Sequence, residues 1–221
     1  QGVTHFRRRQ RPHRAWRARK AHVGELVQLD ESHHDWFEGR GLACGLMAYI
    51  DDASSRVFAR FYEYQGTIPA LDSIQRYVRR YGLPLALYAD LHTTYQSPAE
   101  PTVEEQLAGV EPASQFERAL RELGVELIAA HSPQAKGRVE RLFQTLQDRL
   151  IKEMRLARVA TVVAANQFLA TYLPRYNQQF AVPPAQAVDL HRPTPTDAFA
   201  SAQLQAKPSS IPAAAMRCCN W

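Results

Sequence analysis

The sequence predicts an α/β fold. The chain has 221 residues and 45% of them are hydrophobic, which is enough apolar material for a sizeable core and excludes a chain that is disordered throughout. Short apolar or alternating segments take turns with longer segments whose apolar residues recur at helical spacing. The sequence contains no apolar run of about eighteen residues, so we expect no membrane span.

The first three predicted strands form an antiparallel meander. Residues 25–30 alternate between apolar and polar side chains and end on Asp30, whereas residues 41–50 are almost continuously apolar. The Asp-Asp-Ala-Ser-Ser cluster at 51–55 is typical of a turn. Residues 56–62 then alternate again, which predicts the third strand.

The second half of the chain predicts helices with two further strands. The Pro- and Glu-rich residues 97–113 predict an exposed insertion. The other elements are, in order, a helix over 67–81 capped by Thr67, a strand over 85–88 before Asp90, a helix from Ser114 to Leu123, a strand over 125–130, a long helix after Pro133, and a helix over 162–178 that Pro174 could kink.

Positive charge is concentrated in one N-terminal arm. The net charge is +5, yet residues 1–24 carry eight Arg and Lys and no Asp or Glu, so the rest of the chain is net negative. Such a run stays extended and contacts a polyanion, usually nucleic acid, although a plain linker fits the same pattern. Three cysteines form neither a disulfide framework nor a zinc ligand set. The DNA contacts predicted in the arm are Arg7, Arg8, Arg9 and Arg11.

Three carboxylates are the candidates for chemistry. Asp30 and Asp90 each follow a predicted strand, and Glu140 lies in the first turns of the long helix. Converging carboxylates suit Mg²⁺, which takes oxygen ligands and accepts phosphate oxygens as further ligands. From their spacing alone, a capping or turn role for each aspartate is as good an interpretation.

Four sequence strings make this interpretation specific. They are Leu-Asp-Glu-Ser-His-His-Asp-Trp-Phe at 29–37, Ile-Asp-Asp-Ala-Ser-Ser-Arg at 50–56, Tyr-Ala-Asp-Leu-His at 88–92, and Ser-Pro-Gln-Ala-Lys-Gly-Arg-Val-Glu-Arg at 132–141. In this order they resemble the integrase catalytic core of DDE transposases, in a branch found in bacterial insertion sequences. The resemblance implies a ribonuclease H-like fold, with a mixed five-stranded sheet flanked by helices.

The resemblance also implies a site and an activity. Asp30, Asp90 and Glu140 would be the catalytic, metal-binding triad for two Mg²⁺ ions, which Mn²⁺ could replace, in DNA end cleavage and strand transfer. DNA contacts would come from Gln134, Lys136, Arg138 and Arg141 near the start of the long helix. The implied partners are the element's DNA ends, target DNA and further copies of the chain, in the cytoplasm at the nucleoid.

The predicted organisation is a basic arm over 1–24, a catalytic core over 25–184 and an irregular, truncated tail over 185–221. Glu31 stands where the family usually has a small residue, and Thr93 where it usually has glycine. Two alternatives therefore stay open: a catalytically decayed fragment that only binds DNA or an intact transposase, and a stand-alone ribonuclease H-like nuclease. His33, His34 and His92 lie close to the aspartates, where hydrogen-bonded structural roles are commoner than ligand roles.

Overall fold

A five-stranded sheet with helices on both faces forms the centre of the protein. The computed structural model describes residues 18–89, 113–129 and 137–194. The strands are β1 (Val27–His34), β2 (Cys44–Asp51), β3 (Val57–Tyr62), β4 (Ala86–Ala89) and β5 (Glu126–Ala129). The helices are α1 (Thr67–Tyr81), α2 (Gln115–Glu122), α3 (Gly137–Leu156) and α4 (Val162–Phe180).

The sheet is mixed, with the strand order β3-β2-β1-β4-β5. Strands β1, β2 and β3 pair antiparallel as the predicted meander, while β4 pairs parallel with β1 and β5 parallel with β4. Parallel strands need a crossover, and α1 and α2 provide the two helical crossings. The predicted α/β fold with a mixed five-stranded sheet is confirmed.

Each face of the sheet is covered by its own apolar cluster. Helices α3 and α4 pack on one face against alternate residues of β2 and β3, such as Leu46 and Phe61. Helices α1 and α2 pack on the other face against the intervening residues, such as Leu29 and Met47. The two-residue period of a strand therefore decides to which helical layer each β1 side chain points.

Two expectations about element ends were wrong. Strand β1 does not end at Asp30 but continues to His34, because its pairing with β2 extends to the His34–Cys44 pair. Thr67 does not cap α1: Gly66 occupies the cap position, and its carbonyl accepts the hydrogen bond of Ala70. In contrast, the Ser114 hydroxyl caps α2 as predicted, accepting from the Glu117 N–H at 3.1 Å.

Helix α4 continues from Val162 to Phe180 through Pro174. None of the helices in the described ranges combines the length and the apolar character that crossing a membrane requires. The predicted insertion over 97–113 lies outside the described residues, except for Ala113.

The edge strand β3 is hydrogen-bonded along its outer side by two asparagines of α4. The Asn177 amide accepts from the Val57 N–H at 2.7 Å and donates to the Val57 carbonyl at 2.8 Å. Asn166 makes the same pair of bonds with Phe61, at 2.9 and 3.0 Å. Side-chain amides thus take the place of a neighbouring strand at a sheet edge, which would otherwise expose unpaired backbone groups.

Replacing Asn177 by alanine should lower the free energy of unfolding by about 2–3 kcal/mol, because two backbone groups of a partly buried edge lose their partners. Gln167, an exposed amide on the same helix, supplies the control, and Gln167→Ala should change the stability by less than about 0.5 kcal/mol. Urea unfolding of both variants is the measurement. Equal stabilities would show that the amide bonds contribute nothing to holding β3.

Residues 181–194, here called the C-terminal strap, fold back along the end of the sheet at which β1 and β4 begin. The Gln186 and Leu190 N–H groups donate to the carbonyls of Ala21 and Val23 at 3.0 and 2.8 Å, and Leu83 exchanges two backbone bonds with Arg192. These contacts lie beyond both predicted bounds of the core. The strap therefore joins the entry and exit segments of the core side by side.

Candidate active site

Asp30 lies in the middle of β1 and faces α3. Its neighbours at alternate positions both contact that helix: the Gln28 Oε1 accepts from the Val139 N–H at 3.3 Å, and Gln147 Nε2 donates to Ser32 Oγ at 3.3 Å. Asp30 therefore points to the same layer. The side chain is half-buried, and its Oδ1 accepts from the Glu31 N–H at 2.9 Å.

Glu140 lies in the first turn of α3 and is exposed. It precedes Gln147 by seven residues, so the two side chains lie within about 20° of each other around the helix. Since Gln147 contacts β1, Glu140 is on the side of α3 that faces the same strand. Asp30 and Glu140 both lie between the two α3–β1 hydrogen bonds, one on each element.

The third predicted carboxylate, Asp90, lies outside the described residues, as do His92 and Thr93. Within residues 18–89, 113–129 and 137–194, no three His, Cys, Asp or Glu side chains are grouped to hold a metal ion. The two described carboxylates fit a hard divalent cation in ligand type, because carboxylate oxygens are the donors that Mg²⁺ takes. Asp90 follows β4, which pairs parallel with β1.

A buried polar cluster fixes the start of α3 against the sheet. The Asp52 side chain is fully buried and accepts from Arg138 Nη1 at 3.0 Å, Gln28 Nε2 at 3.0 Å and the Lys20 N–H at 2.8 Å. Gln28 in turn accepts the Val139 N–H, one of the first amides of a helix, which have no partner within the helix. We call Gln28, Asp52 and Arg138 the helix clamp. The helix clamp thereby fixes the position of Glu140 along the direction of β1.

Within the clamp, Arg138 has a structural partner, Asp52, that could not be predicted from the sequence. At 100° per residue, Arg138 and Glu140 lie on nearly opposite sides of α3, and Arg141 is about 100° from Glu140. The predicted roles of Arg138 and Arg141 in DNA binding stay predictions, but neither side chain shares the side that carries Glu140. The other predicted DNA contacts, Gln134, Lys136, Arg7, Arg8, Arg9 and Arg11, lie outside the described residues.

Asp51 and Asp52 were interpreted as turn residues, and both hold backbone groups. Asp51 accepts from the N–H groups of Ser54 and Gly24, at 2.7 and 2.9 Å. Asp52 combines this backbone role with the ion pair to Arg138. Two consecutive aspartates after an apolar strand were a signal that one of them has a partner. Nothing in the sequence spacing, however, indicates that the partner of Asp52 is Arg138.

Glu31 points to the opposite face from Asp30, towards the α1 layer. Its Oε1 is buried without a hydrogen-bond partner among the described residues and lies against Gly45, where an added Cβ would approach it to 2.4 Å. Burial raises the pKa of the Glu31 carboxyl to about 7, and the neighbouring charge of Asp30 adds to the rise. The departure at position 31 therefore lies behind the strand and not among the carboxylates of the α3 face.

Glu31→Gln should stabilise the metal-free protein at pH 8 and change little at pH 5. A carboxyl whose folded-state pKa is raised loses stability as the pH climbs from its unfolded value of about 4.5 to about 7. After allowance for partial solvent exposure, the gain at pH 8 should be about 1–2 kcal/mol. Urea unfolding at both pH values in EDTA measures it, and an equal effect at both would contradict the buried charge.

His33 and His34 are exposed at the end of β1, and His34 contacts Trp36 edge-on with ring centroids 5.7 Å apart. Trp36 and Phe37 are buried packing residues, and the Trp36 indole donates to the Ser32 carbonyl at 3.1 Å.

Comparison with known proteins finds transposases that are similar in sequence to this chain. Over 193 residues the sequence is 41% identical to a protein named as a transposase, y4bF of Sinorhizobium fredii, a match that covers 87% of the chain and 41% of that protein. It is 35% identical over 184 residues to the transposase for insertion sequence IS1202 of Streptococcus pneumoniae, covering 82% of the chain and 38% of that protein. The chain thus spans about two fifths of the length of these relatives. No family model matches the sequence.

The fold is similar to those of solved integrases. A chain of the simian T-cell lymphotropic virus intasome matches with a TM-score of 0.58 at 20% identity, over 90% of this chain and 63% of that one. The HTLV-2 integrase catalytic core domain, solved with magnesium in a trimeric form, matches with a TM-score of 0.51 at 13% identity, over 67% of this chain and 84% of that one. At these identities the likeness shows the fold, which is ribonuclease H-like. The chain is therefore similar in sequence to transposases, one of them from a bacterial insertion sequence, and it has the ribonuclease H-like fold of integrase catalytic cores.

Proposed function

We propose that this chain catalyses the divalent-metal-dependent cleavage of DNA ends and their transfer to target DNA. The observation that supports the proposal is that Asp30 lies on β1 and Glu140 on α3, between the two hydrogen bonds that Gln28 and Gln147 make across these elements. The sequence relatives are transposases, and this placement is what their chemistry would need.

Asp30, Glu140 and Asp90 would hold the metal. Two divalent ions held there, Mg²⁺ or Mn²⁺, would supply the activation of a nucleophile and the stabilisation of the leaving 3′ oxygen of a phosphodiester. The chain's own contribution is positioning: the helix clamp holds the start of α3 on β1, and β1 pairs with β2 along its whole length and with β4 at Val27 and Gln28. A carboxylate held this way keeps its orientation when the DNA arrives.

The partners of the reaction would be the element's DNA ends, target DNA and further copies of the chain. The HTLV-2 integrase core is described as a magnesium complex in a trimeric form, which is compatible with both the metal and the self-association proposed here. The arm over 1–24 supplies the positive charge for the DNA backbone. We place this activity in the cytoplasm, at the nucleoid.

The test is a cleavage and strand-transfer assay with labelled duplexes that end in the element's terminal sequences. With Mg²⁺ or Mn²⁺ the 221-residue chain should cut at the element's ends and join them to a second duplex, and EDTA or Asp90→Asn should abolish both products. Cleavage that survives EDTA or Asp90→Asn would overturn the proposal. DNA binding without any cleavage would favour the catalytically decayed fragment.

A further inference from the structure

A small basic groove lies where the base of the arm meets α3 and α4, and we call it the arm-base groove. Its volume is about 150 Å³, and its polar lining consists of Arg19, Ser55, Arg138, Arg141 and Thr145. Residues of β2, α3 and α4 provide an apolar floor. Among the described residues that line it, none is acidic. Three arginine side chains therefore line one space, together with Ser55 and Thr145.

Two of these arginines are held in place by the turn after β2. Arg19 Nη1 donates to Ser55 Oγ at 2.7 Å and to the Asp52 carbonyl at 3.2 Å, while Arg138 is fixed by the Asp52 carboxylate. A guanidinium has five N–H donors in a rigid plane, and the Arg19 bonds all leave from Nη1. Its Nε and Nη2 groups can therefore meet a ligand without breaking the turn.

The groove is continuous with two further sources of positive charge. Arg19 belongs to the arm, whose eight cations carry no compensating acid. On the other side, Arg149 stacks on the ring of Phe180 with its guanidinium carbon 5.1 Å from the ring centroid, and Phe180 lines the groove. Asp52, the acid that pairs with Arg138, is fully buried.

The groove lies on a different side of α3 from the candidate catalytic carboxylate. Arg138, Arg141 and Thr145 follow at i, i+3 and i+7, so they share one flank of the helix, and Glu140 is roughly 130° around from its centre. A phosphate bound in the groove would therefore not be the phosphate that Asp30 and Glu140 act on.

We propose that the arm-base groove binds a non-scissile backbone phosphate of DNA and guides the duplex from the arm onto α3. This inference rests on the proposed function for its partner, but it assigns a separate site. Arginine forks match phosphate oxygens in geometry and charge. The Ser55 hydroxyl, whose oxygen accepts from Arg19, can donate its proton to a phosphate oxygen. A contact to the phosphate backbone is independent of sequence.

The experiment is a salt titration of duplex binding in EDTA, with the full chain, Arg141→Gln and the control Lys152→Gln. Lys152 is an exposed cation on the same helix that pairs with Asp148, and it does not line the groove. Each variant removes one positive charge. If the groove neutralises a phosphate, Arg141→Gln should reduce the slope of log K against log salt by about 0.9, and Lys152→Gln should leave the slope unchanged.

Equal slopes for Arg141→Gln and Lys152→Gln would overturn the groove while leaving DNA binding by the chain intact. Failure of the unmodified chain to bind any duplex would overturn both the groove and the proposed function. Thermal unfolding with inorganic phosphate, at constant ionic strength, separates a free anion from a DNA backbone. A midpoint that phosphate raises only when Arg141 is present, with no effect of Arg141→Gln on the DNA slope, would identify a free-phosphate site and contradict the proposal.

Discussion

Replacing Asp30 by asparagine should reduce DNA cleavage about a thousandfold or more, whereas Glu31→Gln should leave the rate within about threefold. Metal-ion stabilisation of developing charge is worth several kcal/mol, and about 4 kcal/mol corresponds to a thousandfold in rate. The two residues are neighbours in sequence and opposite in direction, since Asp30 faces α3 and Glu31 faces Gly45. Only the first can reach a metal shared with Glu140.

The same pair of variants shows which of the two neighbouring carboxylates binds the metal ion. Millimolar Mg²⁺ or Mn²⁺ binds the folded site and not the unfolded chain, so it should raise the midpoint of thermal unfolding. That rise should persist in Glu31→Gln and disappear in Asp30→Asn. If instead Glu31→Gln abolished the rise and Asp30→Asn kept it, the carboxylate that binds metal would be the one behind the strand.

Arg138→Leu should lower the free energy of unfolding by about 3 kcal/mol, the largest effect that we expect from a single polar side chain. Its partner, Asp52, is fully buried, and only 10% of the Arg138 side chain is exposed. Removing one member of a buried ion pair leaves an uncompensated charge, which costs about 3–5 kcal/mol. The bonds that Asp52 keeps with Gln28 and Lys20 put the expected loss at the lower end.

A matched control is Arg141→Gln, three residues further along α3 and exposed, which should cost under about 1 kcal/mol. The double variant Arg138→Leu/Asp52→Asn should recover part of the loss, because it removes the stranded charge. Urea unfolding measures all three. If Arg138→Leu weakened DNA binding and left the unfolding free energy unchanged, Arg138 would be a phosphate contact and not part of the helix clamp.

The sheet could be predicted from the sequence because each of its strands carries a local signal. Strands β2 and β3 have apolar or alternating residues bounded by the Asp51–Ser55 turn, and the turn holds together through local bonds such as Ser54 N–H to Asp51. The end of β1 could not be predicted in this way. Residues Glu31 to His34 are polar and become strand through their pairing with β2, an interaction between segments that is not visible in either one alone.

In the candidate site, too, local features could be predicted from the sequence and contacts between distant segments could not. Asp30 and Glu140 were predicted as site residues because their surrounding strings resemble a known core, and that role stays a prediction. The DNA contact predicted for Arg138 also stays a prediction, but nothing in the sequence indicated the ion pair that Arg138 forms with Asp52. Its position two residues before Glu140 suggested a phosphate contact, but the side chain reaches a buried carboxylate 86 positions earlier in the chain. A buried ion pair between distant segments produces no hydrophobic periodicity and no turn composition in the sequence from which it could be predicted.

The C-terminal strap also determines which hydrogen bonds bear a mechanical force applied to the two ends of the core. The backbone bridge between Val23 and Asp189 is parallel, so a pull on residue 18 and an opposite pull on residue 194 slide the two segments along each other. In that geometry the Gln186 and Leu190 bonds to Ala21 and Val23 carry the load together, and the two bonds between Arg192 and Leu83 share it. Force exerted by DNA on the two ends of this core would thus be shared between this seam and the bonds that Arg19 and Lys20 make to the turn after β2.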